Sequence, residues 1–324
     1  MKESSKGGLS KQIDWNNMGI ILALAVIILV FSVMTKAFLT PNNIANIARQ
    51  ISIVGICAVG MTCVVLTGGM DLSIGSLIGV VAVVCATLMS NGMPVLVVVL
   101  VGMMIGAANG IIIATCVTKL HIPPIITTLG LMITLRGVAY LVSGGMPIYG
   151  IPEGFKVIGQ GSIGIVPISM IIMVLVFVFG TILLNKTVFG RRIYGIGGNQ
   201  ETAHLSGINI TKELYKMYIM VGVFGSIAAL ILMSRVNSGQ PSAGDGYEMD
   251  IMTAVVLGGV SVSGGEGKLS KVIVGVIFMG VLANGMMMLN INEYWQRVVK
   301  GLVLLIAVAI DIKSREKKAK RVEV

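Results

Sequence analysis

The sequence predicts an all-α, polytopic integral membrane protein of about ten transmembrane helices, with both termini on the cytoplasmic side. Three observations carry this prediction. First, 55% of the 324 residues are apolar or aromatic and only 12% are charged, with a mean hydropathy of +0.94. Soluble domains are roughly 45–50% apolar and about 25% charged. Second, the apolar residues gather into runs at 19–35, 50–67, 72–89, 94–117, 123–142, 165–185, 216–234, 250–263, 269–290 and 296–311. Most approach the roughly 20 residues that a spanning helix needs. Third, the basic residues are one-sided. Of 24, 17 fall in the tails and alternate loops, four (Lys36, Arg49, Lys156 and Arg235) fall opposite, and three (Arg136, Arg297 and Lys300) lie within runs. Positive residues mark the cytoplasmic face. The net charge of +10 is therefore topological, and no nucleic-acid partner is expected.

The expected organisation is a cytoplasmic tail at 1–18, a membrane domain at 19–311 and a basic cytoplasmic tail at 312–324, with one sizeable cytoplasmic loop at 186–216. The run from Ile20 to Val33 ends in Met34-Thr35-Lys36-Ala37 without a small-x-small cleavage site, so it reads as a retained span. In Phe38-Leu39-Thr40-Pro41-Asn42-Asn43-Ile44, Thr precedes Pro, as at a helix start, and Ile44, Ile47 and Ile51 share one face. A short interfacial helix is expected there, leading into the second span.

Two runs are broken by glycine. Residues 65–79 include LTGGMDLSIGSLIG, and residues 254–276 read AVVLGGVSVSGGEGKLSKVIVGV. Val64-Val65-Leu66 with Gly68-Gly69 matches Val255-Val256-Leu257 with Gly258-Gly259, a faint internal repeat. Irregular backbone survives in a membrane only where protein or water satisfies it, and paired breaks in two halves point to a transport pathway. Gly68, Gly69, Asp71, Ser73, Gly258, Gly259 and Ser261 are thus pathway candidates, with close helix packing the plainer role for any single glycine. Asp71 opens Asp-Leu-Ser: capping of the resumed helix is its favoured role and substrate contact the alternative.

Ionisable residues within spans need partners. Arg297 follows Glu293 by four residues beside Tyr294 and Trp295, so an intrahelical pair at the outer interface accounts for it, and Lys300 can snorkel the same way. Arg136 lies deeper in its run and joins the pathway candidates, with no partner legible. The acidic Glu153, Asp245 and Glu248 lie in polar outer loops, where they are expected to pair with basic residues of a docking protein. Cys57, Cys63, Cys85 and Cys116 lack CxxC spacing and read as small buried hydrophobes.

Enzyme motifs fail. Gly264-Gly265-Glu266-Gly267-Lys268 suggests a phosphate loop, but Val262 stands where its first glycine belongs and Leu269 where Ser or Thr should follow the lysine. Gly195-Ile196-Gly197-Gly198 follows no strand and lacks the last glycine of a dinucleotide fingerprint. His121 and His204 are the only histidines, so no metal cluster is expected. No catalytic residue, metal or bound cofactor is predicted.

Three long stretches, GMTCVVLTGGMDLSIGSL at 60–77, GRRIYGIGGNQETAHLSGINI at 190–210 and SGQPSAGDGYEMDIMTAVVLGGVSVSGGEGK at 238–268, resemble the permease subunits of ribose-type ABC sugar importers. The resemblance runs in order from about Phe38 to Ile310. It implies a helical permease of the bacterial cytoplasmic membrane, present as two copies among lipid. An extracytoplasmic sugar-binding protein would dock outside and an ATP-binding cassette subunit inside, where ATP and Mg are used by that partner alone. The family's coupling segment matches here at Gly197, Gly198, Asn199, Glu201, Ala203, Leu205, Ser206, Gly207 and Ile208, while Thr202 and His204 replace its usual Ala and Arg. Asn199, Glu201, Ala203, His204, Leu205, Ser206 and Gly207 are the coupling candidates. Physically the segment reads as a short helix capped by Asn199 and closed by Gly207.

The Asp-Leu-Ser motif favours a monosaccharide over the branched-chain amino acids or nucleosides of more distant relatives. An ABC permease for a nucleoside or other small polar solute is one alternative. An ion-coupled secondary transporter is another, but Asp71 alone is a thin relay. A receptor or structural role has no sensing domain to support it.

Overall fold

The computed structural model describes residues 15–322; the expected tail at 1–18 therefore lies mostly outside the described residues, as do Glu323 and Val324. The architecture is helical. In chain order the helices are α1 (Trp15–Met34), α2 (Pro41–Leu66), α3 (Ile74–Ser90), α4 (Val95–Thr118), α5 (Pro124–Ser143), α6 (Glu153–Gln160), α7 (Ile168–Lys186), α8 (Val188–Gly198), α9 (Gln200–Leu205), α10 (Ile210–Val236), α11 (Tyr247–Leu257), α12 (Leu269–Met288) and α13 (Glu293–Val322). A two-residue hairpin, β1 (Ser162–Ile163) with β2 (Val166–Pro167), follows α6.

Each of the ten apolar runs falls wholly or partly on a helix. Among the described residues, six helices (α2, α4, α5, α7, α10 and α12) are long and apolar enough to cross a membrane; the apolar part of α1 and all of α3 are shorter. The run at 250–263 is the clearest departure. Only its first part is helical, and the 11 residues of α11 rise about 16 Å against a hydrocarbon core of about 30 Å. The segment 237–246 ahead of it descends beside α3, with Gly239 packed on Ala82 and Ala86, and Gly244 on Gly75.

The expected interfacial helix is not separate. Pro41 sits in the first turn after Thr40, as anticipated, but the helix then continues unbroken to Leu66. Nothing between Ile44 and Ile51 interrupts the ladder, and Ala45 and Ala48 favour helix. α13 likewise continues past Asp311, through most of the expected C-terminal tail, to Val322.

α2 is the central post, buried from Ile51 to Leu66, and α10 packs along it and along α4. The α4–α10 crossing is closest where Gly106 and Gly222 face each other backbone to backbone, leaving no room for a side chain on either. Cys57, Cys63 and Cys85 are free and buried, and Cys116 is free and half-buried.

Candidate functional site

The two glycine breaks end their helices in the same way. At the end of α2 the Gly69 N–H donates to Val64 O (3.1 Å) and Gly68 is left-handed at φ +78°. At the end of α11 the Val260 N–H donates to Val255 O (3.3 Å) and Gly259 is left-handed at φ +80°. Both are Schellman caps, in which a glycine supplies the positive φ. The Val-Val-Leu repeat therefore encodes one helix-stop used twice. The remaining glycine of each pair serves packing: Gly258 lies against the Val272 backbone, and Gly69 against the Tyr218 hydroxyl and Val64.

The two breaks also touch. The Gly265 N–H donates to Leu66 O at 2.9 Å, and Gly264 lies on the Gly68 backbone. Ser261 is buried within the second break: its N–H donates to Glu266 O (2.9 Å) and its hydroxyl to Asp311 Oδ2 on α13 (3.3 Å).

Beyond the first break, Asp71 is 2% exposed, and its Oδ1 accepts from the Ser73 N–H (2.9 Å) and the Ser73 hydroxyl (2.7 Å). Ser73 is the N-cap residue of α3, so Asp71, two residues before it, fixes the turn that enters the helix and does not cap the helix itself as the sequence suggested. Asn109 of α4 donates from Nδ2 to the same hydroxyl at 3.2 Å, while its Oδ1 is buried without a partner. Asp71, Ser73 and Asn109 thus form one polar knot at the start of α3.

Arg136 acquires its partners from the descending segment. Its Nη1 donates to Pro241 O (2.7 Å) and Ala243 O (2.9 Å). Non-helical backbone at membrane depth leaves carbonyls that require donors, and a guanidinium supplies them. α13 clamps the same segment. Arg297 bonds Asp245 and Glu293, both at 2.9 Å, and Lys300 bonds Asp250 at 2.6 Å. The Arg297–Glu293 pair is as expected from sequence; the bonds to Asp245 and Asp250 are not. Glu248 lies under α3 beside Gly75, 8% exposed, with its Oε2 unpartnered. The expectation that Glu248 greets a docking protein is therefore corrected: it is enclosed in the first turn of α11, because the segment ahead of that helix turns inward along α3. Asp245 is held by Arg297, and exposed Glu153 bonds Lys156.

The segment following α7 forms two short helices. Asn199 Oδ1 accepts from the Thr202 N–H (2.8 Å), and Gly207, at φ +81°, closes α9 as the Ile208 N–H returns to Ala203 O (3.1 Å). Ala203 faces inward, whereas Glu201, His204, Leu205 and Ser206 are exposed, Leu205 at 81%. α8 joins this surface to the breaks. Gly197 packs on the Leu66 carbonyl, Gly265 on Gly198, and the Tyr194 hydroxyl donates to Gly267 O at 2.8 Å. Arg192 and Lys216 both bond the fully buried Glu213, at 2.7 and 3.3 Å, tying α8 to α10. Sequence reasoning passed over Tyr194 and Glu213; an acid three residues before Lys216, just ahead of the apolar run at 216–234, was the available signal for Glu213.

The chain's relatives bear on what this arrangement serves. Residues 43–308 match the family described as branched-chain amino acid transport system / permease component. The chain belongs to that permease family. It is 41% identical over 299 residues to the ribose import permease protein RbsC of Bacillus subtilis (strain 168), covering 92% of this chain and 93% of that one. RbsC of Escherichia coli (strain K12) is 39% identical, covering 91% and 93%. The galactose/methyl galactoside import permease protein MglC of the same strain is 36% identical over 312 residues, covering 90% and 93%. No solved structure matches the chain. The permease is thus a multi-pass membrane protein whose relatives are named as transport components.

Proposed function

We propose that this permease is the membrane-spanning subunit of an ABC importer carrying a monosaccharide of the ribose type. The observation that carries the reading is the end-to-end similarity to ribose and galactose import permeases. An extracytoplasmic binding protein delivers the sugar. A separate ATP-binding cassette subunit, which alone uses ATP and Mg, docks on α9 from the cytoplasm, where the exposed Leu205 and the Asn199 and Gly207 caps present a rigid short helix. Two permease copies stand side by side in the bacterial cytoplasmic membrane. In this topology α1 to α5, α7, α10, α12 and α13 each cross, and α11 crosses together with 237–246. The placement of basic residues supports cytoplasmic termini. The two joined breaks and the knot of Asp71, Ser73 and Asn109 are the proposed walls of the pathway, with Arg136 holding the outer segment.

Reconstitution tests this. Proteoliposomes holding permease and ATP-binding subunit are expected to accumulate ribose only with ATP inside and sugar-loaded binding protein outside. Accumulation driven by an ion gradient without the ATP-binding subunit overturns the reading in favour of a secondary transporter. A thermal-shift panel of sugars on the binding protein then names the substrate.

A further inference from the structure

Beside α9 lies a recess of about 580 Å³ between the end of α4 and the start of α10. Its walls include Thr118 and His121 from the α4 side, Gln200, His204 and Gly207 from α9, and Thr211 from α10. Both histidines of the 324-residue chain therefore face one cavity.

His121 is placed there at a conformational cost. It has φ +55°, in the left-handed region that glycine occupies freely and other side chains disfavour. The following Ile122 N–H returns to Cys116 O at 3.0 Å, so this turn is what ends α4. Glycine would make it more easily, yet the position carries an imidazole aimed at the recess. Strain of this kind gathers where a side chain is used.

The charge beside the recess is positive on balance. Exposed Lys119 and Lys212 adjoin lining residues on opposite walls. The nearby acid Glu213 is fully buried and engaged by Arg192 and Lys216. Glu201, exposed beside the lining residue Gln200, is one acid against these two lysines. Next to the recess, Leu205 stands 81% exposed at an end of the bundle rich in lysine.

We propose that docking at α9 is reciprocal: while Leu205 enters the ATP-binding subunit, the recess between His121 and His204 receives an acidic side chain of that same subunit. Lys119 and Lys212 steer it. The proposal rests on α9 being the docking helix, and its test separates the two claims.

Purified ATP-binding subunit is titrated onto permease in nanodiscs, with a thermal melt of each variant as the fold control. His121→Gly removes the imidazole while easing the backbone. It is expected to weaken capture at least tenfold with the melt unchanged or raised. Lys119→Glu with Lys212→Glu is expected to do the same, with a loss that shrinks as salt rises. Leu205→Asp reports docking at α9 itself. If it abolishes capture while His121→Gly and the lysine reversal leave capture intact, the recess is not a contact and the proposal falls, though docking at α9 stands. Loss with His121→Gly but none with the lysine reversal overturns an acidic occupant. If Leu205→Asp leaves capture intact, docking at α9 and the proposal fall together.

Discussion

Gly197→Ala tests whether α8 is the rigid link between α9, the proposed docking helix, and the two breaks. A methyl carbon built on Gly197 lands 2.6 Å from the Gly265 nitrogen and 2.8 Å from the Leu66 carbonyl carbon, and nearer still to the Leu66 oxygen. Carbon contacts settle at about 3.5–4.0 Å, so α8 must withdraw by about 1 Å or more. All the obstructing atoms are backbone, and none can rotate aside. Withdrawal also parts the Gly265 N–H from Leu66 O, now at 2.9 Å. Overpacking of this kind costs about 1–3 kcal/mol and the lost hydrogen bond about 1 kcal/mol, together about 2–4 kcal/mol. Gly198→Ala is the matched control, because a methyl there meets nothing within 4 Å. The assay is the melting temperature of the purified permease, followed by ATP hydrolysis stimulated by sugar-loaded binding protein. Gly197→Ala is expected to lose several degrees and most of the stimulation, and Gly198→Ala to lose neither. Equal behaviour of the two variants would refute the claim that the Gly197–Leu66–Gly265 junction carries the coupling.

Two further outcomes follow from the same geometry. Gly207 is left-handed with open space around it, so Gly207→Val is expected to disturb only the end of α9, at roughly 1 kcal/mol or more. It should halve or abolish capture of the ATP-binding subunit, Gly207→Asn being milder; equal losses from Val and Asn would contradict a conformational cause. Lys300 and Asp250 are mostly buried, at 24% and 10% side-chain exposure. Lys300→Met, which strands the carboxylate, is expected to cost about 3–5 kcal/mol. Adding Asp250→Leu should restore most of the melt, and no restoration in the double variant would show that the pair does not act as a unit.

Much of this was legible in the sequence because the governing physics is local. Apolar run length placed the helices, and Asn199 and Gly207 marked the ends of α9 because capping depends on residues three or four apart. The twin Val-Val-Leu caps showed as a repeat for the same reason. Tertiary pairing left no such trace. Asp71 was legible as a group that bonds backbone near the start of α3, though it holds Ser73 and does not cap the helix; Asn109, which completes its knot with Ser73, sits 36 residues beyond Ser73 in an unremarkable apolar helix. Lys300 read as a snorkelling residue because its partner Asp250 is 50 positions away.

The outer acids show why composition misled. Residues 238–250 are rich in Gly, Ser and acid, the composition of a solvated loop, and that reading sends Asp245 and Glu248 outward; Asp245 is exposed, but Glu248 is not. Yet the polypeptide ahead of the 11-residue α11 packs along α3, and enclosed backbone without helical bonds needs donors from elsewhere. Arg136 meets two of its carbonyls, and α13 supplies cations to Asp245 and Asp250. Arg136 and Arg297 are therefore complements of one irregular segment, while Lys300 answers Asp250 in the first turn of the helix that this segment leads into.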